Sequence, residues 1–162
     1  MADYRFTTIW KVEAACAPVF DVILDSCNWP RWWAGVESVE ELAAGNPDGT
    51  GNVRRYVWKG YLPYRLCFSA RSTCIVPPRE IGAEVSGDVE GSGRWLFTSE
   101  GGTTTVRYQW HVRTEKWWMN LLAPLAKPVF RHNHHLLMER GARGLATVLA
   151  ARLIEVIHCD DP

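Results

Sequence analysis

The side chains with the greatest potential for chemistry lie in one short segment, residues 131–139. His132, His135 and Glu139 stand at i, i+3 and i+7, so on a helix they could share one side and approach a metal ion. The surroundings offer no clear fourth ligand, and histidines on helices are more often solvated or hydrogen-bonded. We therefore predict no metal site and no cofactor.

His134 differs from its neighbours. It falls in register with Met138, Gly141 and Leu145, which predicts that it points from a helix toward the rest of the protein. An imidazole at the edge of an apolar cavity can hydrogen-bond a hydroxyl or carbonyl of a ligand, or act as a general acid or base. His134 is the candidate catalytic residue, and a structural histidine with satisfied hydrogen bonds is the other interpretation.

The sequence contains none of four familiar motifs that would indicate a different activity. The sequence has no GxSxG elbow, no phosphate-binding P-loop, no GxGxxG opening a helix after a strand, and no HExxH, so hydrolase, nucleotide-binding and zinc-protease activities lose their usual support. Five cysteines without a CxxC pair indicate reduced thiols rather than a disulfide scaffold or a zinc site.

The elements that must position His134 are mostly strands. Alternating polar and apolar residues between turn signals predict antiparallel strands, each with one buried face. The clearest strand has Val106, Tyr108, Trp110 and Val112 on one face. Seven strands are predicted, over residues 5–12, 36–42, 53–59, 66–74, 80–86, 93–100 and 103–114.

Helices are predicted at two places. After the first strand, Pro18 begins a short amphipathic segment, and a second short helix precedes the next strand. From Pro128 to about Ile157, apolar residues recur at helical spacing and predict one long helix. Gly141 and Gly144 in that helix permit either close packing on the sheet or room for a ligand.

Aromatic residues share the inner faces of several strands. A cavity lined by such rings favours a flat or polycyclic ligand, although ordinary core packing must account for most of them. The pairs are Tyr56 and Trp58, Trp95 and Phe97, and Tyr108 and Trp110, with Trp10 and Phe68 on neighbouring strands.

Composition limits the class of protein. With 18 basic and 18 acidic residues the formal charge is zero, so binding of nucleic acid by bulk charge is not expected. The 47% hydrophobic and 22% charged residues are typical of one globular domain over residues 1–162. The longest stretch free of charge covers ten residues, whereas a bilayer span takes about 20. The N-terminal segment does not have the pattern of a signal peptide, so we expect a cytoplasmic protein.

Three segments carry a resemblance to a known superfamily. The first comprises Pro18-Val19-Phe20, Val22-Ile23, Asp25, Trp29-Pro30, Trp32-Trp33 and Gly35-Val36-Glu37. The second is residues 87–95, and the third is the closing helix with Asn133-His134 and Met138. In this order they are similar to the START/polyketide-cyclase-like (SRPBCC) superfamily, and the resemblance covers nearly the whole chain.

The resemblance implies an α+β helix-grip fold. Such a fold has a curved seven-stranded antiparallel sheet wrapped around a long C-terminal helix, with two short helices after the first strand. It also implies a deep hydrophobic cavity between sheet and helix, which holds a lipid, a polyketide-like aromatic or another apolar small molecule. The expected ligand-binding residues are Trp10, Tyr56, Trp58, Phe68, Trp95, Phe97, Tyr108, Trp110, His134, Met138, Gly141 and Leu145.

Three hypotheses about function follow. The first is binding or carriage of a hydrophobic small molecule in that cavity. The second is a polyketide cyclase or dehydratase, with His134 and a tyrosine such as Tyr56 or Tyr108 as acid-base or orienting groups. The third is an interaction module that uses a tryptophan-rich rim to bind a protein partner, which a solidly packed interior would favour. Oligomeric state does not follow from the sequence.

Two tryptophan-rich segments flank the place where such a cavity usually opens, and we call them the rim. They are Trp32-Trp33 and residues 117–122. If exposed, they could form a mobile lip or make transient contact with a membrane or a partner. Pro124 and Pro128 are expected to break the helix beside the second segment. The alternative is that both segments cap the core.

Overall fold

Eight antiparallel strands form one sheet in the computed structural model, which describes residues 2–114 and 116–160, apart from the side chain of residue 123. Along the sheet the order is β2-β3-β4-β5-β6-β7-β1-β8. The strands are β1 (Asp3–Val12), β2 (Val36–Ala43), β3 (Val53–Trp58), β4 (Leu66–Val76), β5 (Glu80–Gly87), β6 (Val89–Glu100), β7 (Thr103–Thr114) and β8 (Leu153–His158).

Helices occupy two stretches of the chain. Helix α1 (Cys16–Leu24) and a 3-10 helix (Ser26–Arg31) lie between β1 and β2, as the sequence predicts. Helix α2 (Trp117–Leu121) and the long helix α3 (Ala123–Val148) follow β7. The α+β architecture predicted from the sequence is confirmed.

The predicted number of strands and the predicted end of the long helix are wrong. The helix ends at Val148, and Ala150 adopts a positive φ of 49° that turns the chain back toward the sheet. Residues of β8 then pair with the free edge of β1, with Val156 opposite Trp10. Ile154, Val156 and Ile157 are β-branched and favour a strand, but a short apolar run cannot be assigned by periodicity alone.

The predicted break at Pro128 is absent. Helix α3 begins at Ala123 and continues through Pro128. Pro124 lies in the first turn, where a missing N–H costs little, and Pro128 removes only the helical hydrogen bond to the carbonyl of residue 124. The chain instead bends at Leu122, between α2 and α3.

A cluster of tryptophans fills the centre of the space between sheet and α3. Trp33 is completely buried, and its ring centroid lies 4.9 Å from that of Trp58, 5.0 Å from that of Trp29 and 5.4 Å from that of Trp10. Its indole N–H donates a 2.8 Å hydrogen bond to the carbonyl of Leu137 in α3. The 3-10 helix and the turn after it therefore supply the packing between helix and sheet.

Gly141 and Gly144 allow this close approach. A Cβ at Gly141 would overlap the indole ring of Trp33, and one at Gly144 would overlap the carbonyl oxygen of Trp32. Both positions therefore serve packing against the tryptophan pair.

Replacing Gly144 by alanine tests this packing. Alanine favours a helix over glycine by about 1 kcal/mol, yet the added methyl group meets a backbone atom that cannot rotate away. We expect Gly144→Ala to lower the free energy of unfolding by about 1–3 kcal/mol, measured by urea denaturation. Arg143→Ala, at the exposed neighbouring position, is the control and is expected to change it by less than about 0.5 kcal/mol. A stabilised Gly144→Ala would show that the helix does not rest on Trp32.

Candidate functional site

Two adjoining hollows lie between the sheet and α3, and we call them together the His134 cavity. Their volumes are about 80 and 90 Å³. Both are lined by Tyr64, Leu66, Trp110, Asn133, His134 and Leu137. The first is completed by Trp58, Gly60, Leu62, Phe68, Tyr108 and Met138, and the second by Tyr4, Phe6, Val89, Val112, Met119 and Phe130.

His134 points into this cavity from α3. Its ring stacks on Phe6 at a centroid distance of 4.4 Å, and its Nε2 is buried without a hydrogen-bond partner. Burial, with smaller contributions from nearby His135 and His158, lowers the pKa of His134 to about 3. The imidazole is therefore neutral at physiological pH.

Two further lining residues each have a buried polar atom without a partner. The indole Nε1 of Trp58 and the hydroxyl of Tyr4 are buried without a hydrogen bond. Burial also raises the pKa of Tyr4, so its phenol stays protonated. A buried polar group without a partner costs about 1–3 kcal/mol, and here three elements, β1, β3 and α3, each direct such a residue to one cavity.

The connection between β3 and β4, residues 59–65, covers the first hollow. Asn133 of α3 accepts a 2.9 Å hydrogen bond from the backbone N–H of Tyr61, and the Arg140 guanidinium lies 4.0 Å from the centroid of the Tyr61 ring. Tyr64 packs edge-on against Trp118 and Phe130, with centroids 5.3 and 6.0 Å away. The loop is thus held to α3 by one hydrogen bond, one cation–π contact and ring packing.

A separate hollow of about 60 Å³, the Arg54 cavity, lies beside α1 and the 3-10 helix. There the hydroxyls of Ser26 and Tyr56 share a 2.8 Å hydrogen bond, and Arg54 donates at 2.8 Å to both the Ser26 hydroxyl and the Leu24 carbonyl. Burial is the main cause of the raised pKa of Tyr56. Tyr108 and Trp110 line this cavity as well as the His134 cavity and form the wall between them.

The twelve residues expected to bind ligand are divided among these places. Six line the His134 cavity: Trp58, Phe68, Tyr108, Trp110, His134 and Met138. Tyr56 and Trp95 line the Arg54 cavity. Four lie against neither cavity and pack elsewhere in the interior: Trp10, Phe97, Gly141 and Leu145.

Sequence patterns missed other lining residues. Phe130 and Leu137 share the helical spacing of His134, at i−4 and i+3, and that periodicity could have identified them. Tyr64 lies in a loop with no periodicity, so the sequence carried no signal for it. Asn133 belongs to the superfamily resemblance, but its contact with the loop depends on tertiary packing.

The histidines flanking His134 serve other contacts. His132 is exposed, and His135 makes a 2.6 Å hydrogen bond with Asp160. His135 also stacks on His158 at 3.9 Å, while Glu139 lies 3.5 Å from the Nε2 of His158. Across residues 2–114 and 116–160, no group of three or more His, Cys, Asp and Glu side chains is arranged to hold a metal ion.

Only one of the two predicted rim segments is exposed. Trp33 is completely buried and Trp32 partly buried, so that pair caps the core. In the second segment Trp117 is 75% exposed, and Leu121 and Leu125 beyond it are 71% and 82% exposed. None of the helices within the described part of the chain is long and apolar enough to cross a membrane.

An antiparallel sheet packed on a long C-terminal helix, with an apolar cavity between them, is the helix-grip fold. The chain belongs to the polyketide cyclase/dehydrase and lipid transport family, whose sequence model matches residues 4–150. Comparison with curated protein sequences finds no match.

Solved structures share the fold at low sequence identity. The Zhui aromatase/cyclase from Streptomyces sp. R1128 is 15% identical over 92% of this chain and 94% of its own, with a TM-score of 0.75. A START superfamily protein from Mycobacterium smegmatis is 14% identical over 91% and 97%, with a TM-score of 0.73. A protein from Thermus thermophilus is 17% identical over 91% and 99%, with a TM-score of 0.70.

Stability should fall in acid because of the neutral buried histidine. An unfolded histidine takes up a proton below about pH 6.5, whereas folded His134 does so only near pH 3. Between these values the unfolded state binds more protons, so the free energy of unfolding falls by up to about 1.4 kcal/mol per pH unit for this residue. His158, whose pKa burial also lowers, adds to the loss. Urea denaturation from pH 7 to pH 4 measures this effect, and we expect the free energy of unfolding to fall less for His134→Phe than for the wild type. An equal fall in the two proteins would mean that His134 takes up its proton as readily in the folded protein as in the unfolded one.

Proposed function

We propose that this protein binds and carries a hydrophobic small molecule in the His134 cavity. The observation that carries the proposal is a pair of adjoining hollows lined mostly by apolar and aromatic side chains, with no Lys, Arg, Asp or Glu among the described lining residues. Apolar and aromatic lining of this kind is typical of small-molecule sites. The membership of the polyketide cyclase/dehydrase and lipid transport family supports the same class of ligand.

The cavity favours binding over turnover. A general base works best with a pKa near the operating pH, whereas His134, at about 3, is a weak base and carries no proton to donate as an imidazolium. The Tyr56 hydroxyl is engaged with Ser26 in the other cavity, and burial raises the pKa of Tyr108. Of the two tyrosines named in the cyclase or dehydratase hypothesis, only Tyr108 lines the same hollow as His134.

Entry to the cavity is proposed to lie beside the exposed rim segment. The loop of residues 59–65 and the start of α3 meet over the hollows, and Tyr64 bridges them by its contacts with Trp118 and Phe130. Trp117, Leu121 and Leu125 present an apolar surface next to this junction. Transient membrane contact through that surface stays a prediction of the sequence.

Filling the cavity should abolish binding. Leu66 lines both hollows, so the larger side chain in Leu66→Trp occupies the space a ligand would need. We expect the wild type to release an apolar compound on organic extraction after native mass spectrometry, or to bind toluene, anthraquinone or palmitate in NMR titrations. Leu66→Trp should weaken that binding by at least about tenfold.

The matched control is Leu42→Trp, the same substitution at a half-exposed position of β2 away from the cavities. It should bind like the wild type. If no compound binds, or if Leu66→Trp and Leu42→Trp bind equally well, the proposed site is wrong and an interaction module becomes the better hypothesis.

Releasing the loop should speed ligand exchange. Asn133→Ala removes the acceptor for the Tyr61 N–H, so the Tyr61 amide should exchange with deuterium faster, by roughly tenfold or more. Association and dissociation of a bound probe should both accelerate in stopped-flow measurements. Asn28→Ala, which removes an exposed hydrogen bond to Asp25 in the 3-10 helix, should change neither rate. If the Tyr61 amide of Asn133→Ala exchanges with deuterium at the wild-type rate, this hydrogen bond does not hold the loop of residues 59–65 over the cavity.

A further inference from the structure

We propose that the protein docks on membranes that contain anionic lipids through the outer face of α2 and of the first turns of α3. This face is separate from the lining of the His134 cavity, and its docking does not depend on the proposed function. Two observations support it: an exposed apolar stripe and the charge of the segment that carries this stripe.

Four apolar residues at intervals of four positions form what we call the apolar stripe. They are Trp117, Leu121, Leu125 and Val129. Residues four apart lie on the same side of a helix. Helical hydrogen bonds continue across the bend at Leu122, which donates its N–H to the Trp118 carbonyl and accepts from the N–H of Ala126. The stripe is therefore one surface, and between 49% and 82% of each of its residues is exposed.

The opposite side of the same segment packs on the rest of the protein. Met119 and Phe130 are buried, and the ring of Trp118 lies 5.3 Å from that of Tyr64. A helix with apolar side chains on both sides is normally enclosed by protein or by lipid. Half of the ten large hydrophobic residues that the described part of the chain exposes lie within residues 117–129. Such a concentration marks a surface that binds a partner.

The charge of the segment favours an anionic partner. Residues 116–138 contain three Lys or Arg, three His and no Asp or Glu, although the whole chain has as many acidic as basic residues. Lys127 is exposed and forms no ion pair with any described residue, and Arg131 stays 45% exposed beside Asp160. Lys116 is paired with Asp88. Basic residues next to an apolar surface are attracted to negatively charged lipid headgroups.

The form of the stripe suits a bilayer better than a second copy of the chain. Tryptophan is enriched where proteins meet the headgroup region of a membrane, and Trp117 lies at one end of the stripe, with Lys127 and Arg131 toward the other. A symmetric dimer would place the same surface of both copies face to face. It would then bring the basic residues of the two copies together, with no acidic residue of this segment to offset them.

Vesicle flotation with the full-length protein tests the proposal. The vesicles contain phosphatidylcholine alone or phosphatidylcholine mixed with phosphatidylglycerol. We expect the wild type to bind the mixed vesicles at least about tenfold more tightly than the neutral ones. Added salt should weaken this binding, because it screens the attraction between exposed charges.

Three variants locate the surface. The double variant Leu121→Gln/Leu125→Gln changes side chains that are 71% and 82% exposed, so it should fold and should bind mixed vesicles at least about tenfold more weakly. Lys127→Gln should weaken binding by about fivefold. The control Leu42→Gln, at a 53% exposed position of β2, should bind like the wild type. Urea denaturation checks that all three variants remain folded.

Several results would contradict the proposal. It is wrong if the wild type binds neither kind of vesicle, or if the double variant binds as well as the wild type. Equal affinity for neutral and mixed vesicles would remove the requirement for anionic lipid. If analytical ultracentrifugation shows dimers that the double variant dissociates, and no vesicle binding, the surface joins copies of this chain instead. None of these measurements uses a ligand of the His134 cavity, so they do not decide the proposed function.

Discussion

The rest of the interior depends on the space that one side chain, Trp33, occupies between the sheet and α3. Its indole contacts other tryptophan rings on one side and hydrogen-bonds a carbonyl of α3 on the other. Gly141 lets the helix pack directly on this ring, and Gly144 lets it pack on the carbonyl of the neighbouring Trp32. The separation of helix and sheet is therefore fixed at the centre, and the His134 cavity lies beside the N-terminal half of α3.

Charged side chains are kept away from the lining of the His134 cavity. Cross-strand ion pairs join Arg71 to Glu84 and Arg94 to Glu80, with arginine side chains more than half exposed. Exposed pairs of this kind add at most about 1 kcal/mol each to stability. The polar groups of the His134 cavity are neutral, so the fold tolerates them when empty more easily than it would tolerate a buried ion.

The sequence predicted the antiparallel strands well because alternation is a local signal. Residues 103–114, for example, form β7 with the bounds expected from the inward-facing Val106, Tyr108 and Trp110. The strand at 153–158 was missed because its apolar run fits a helix equally well until its pairing partner, β1, is known. Half of the expected ligand-binding residues do line the His134 cavity.

The size of the cavity could not be predicted from the sequence, for a physical reason. Whether an aromatic side chain lines a hollow or fills it depends on contacts between segments far apart in the chain. Trp33 and Leu137 are 104 positions apart, yet their hydrogen bond helps to decide how much room remains. The cover formed by Tyr64 was equally inaccessible, because loops lack the periodicity that identifies an inward-facing side chain.

The eighth strand, β8, also affects self-association of the protein. Without it, the Thr8–Val12 half of β1 would present unpaired amides and carbonyls at the sheet margin, which is a template for association with another chain. The strand that replaces it there is only six residues long, is joined to β1 through an irregular register at Lys11 and Val12, and carries the charged Glu155 outward. Short, irregular and charged edges resist aggregation. Strand β8 thus protects this edge of the sheet from aggregation. Truncating the chain after α3 would favour self-association and leave the residues that line the cavity in place.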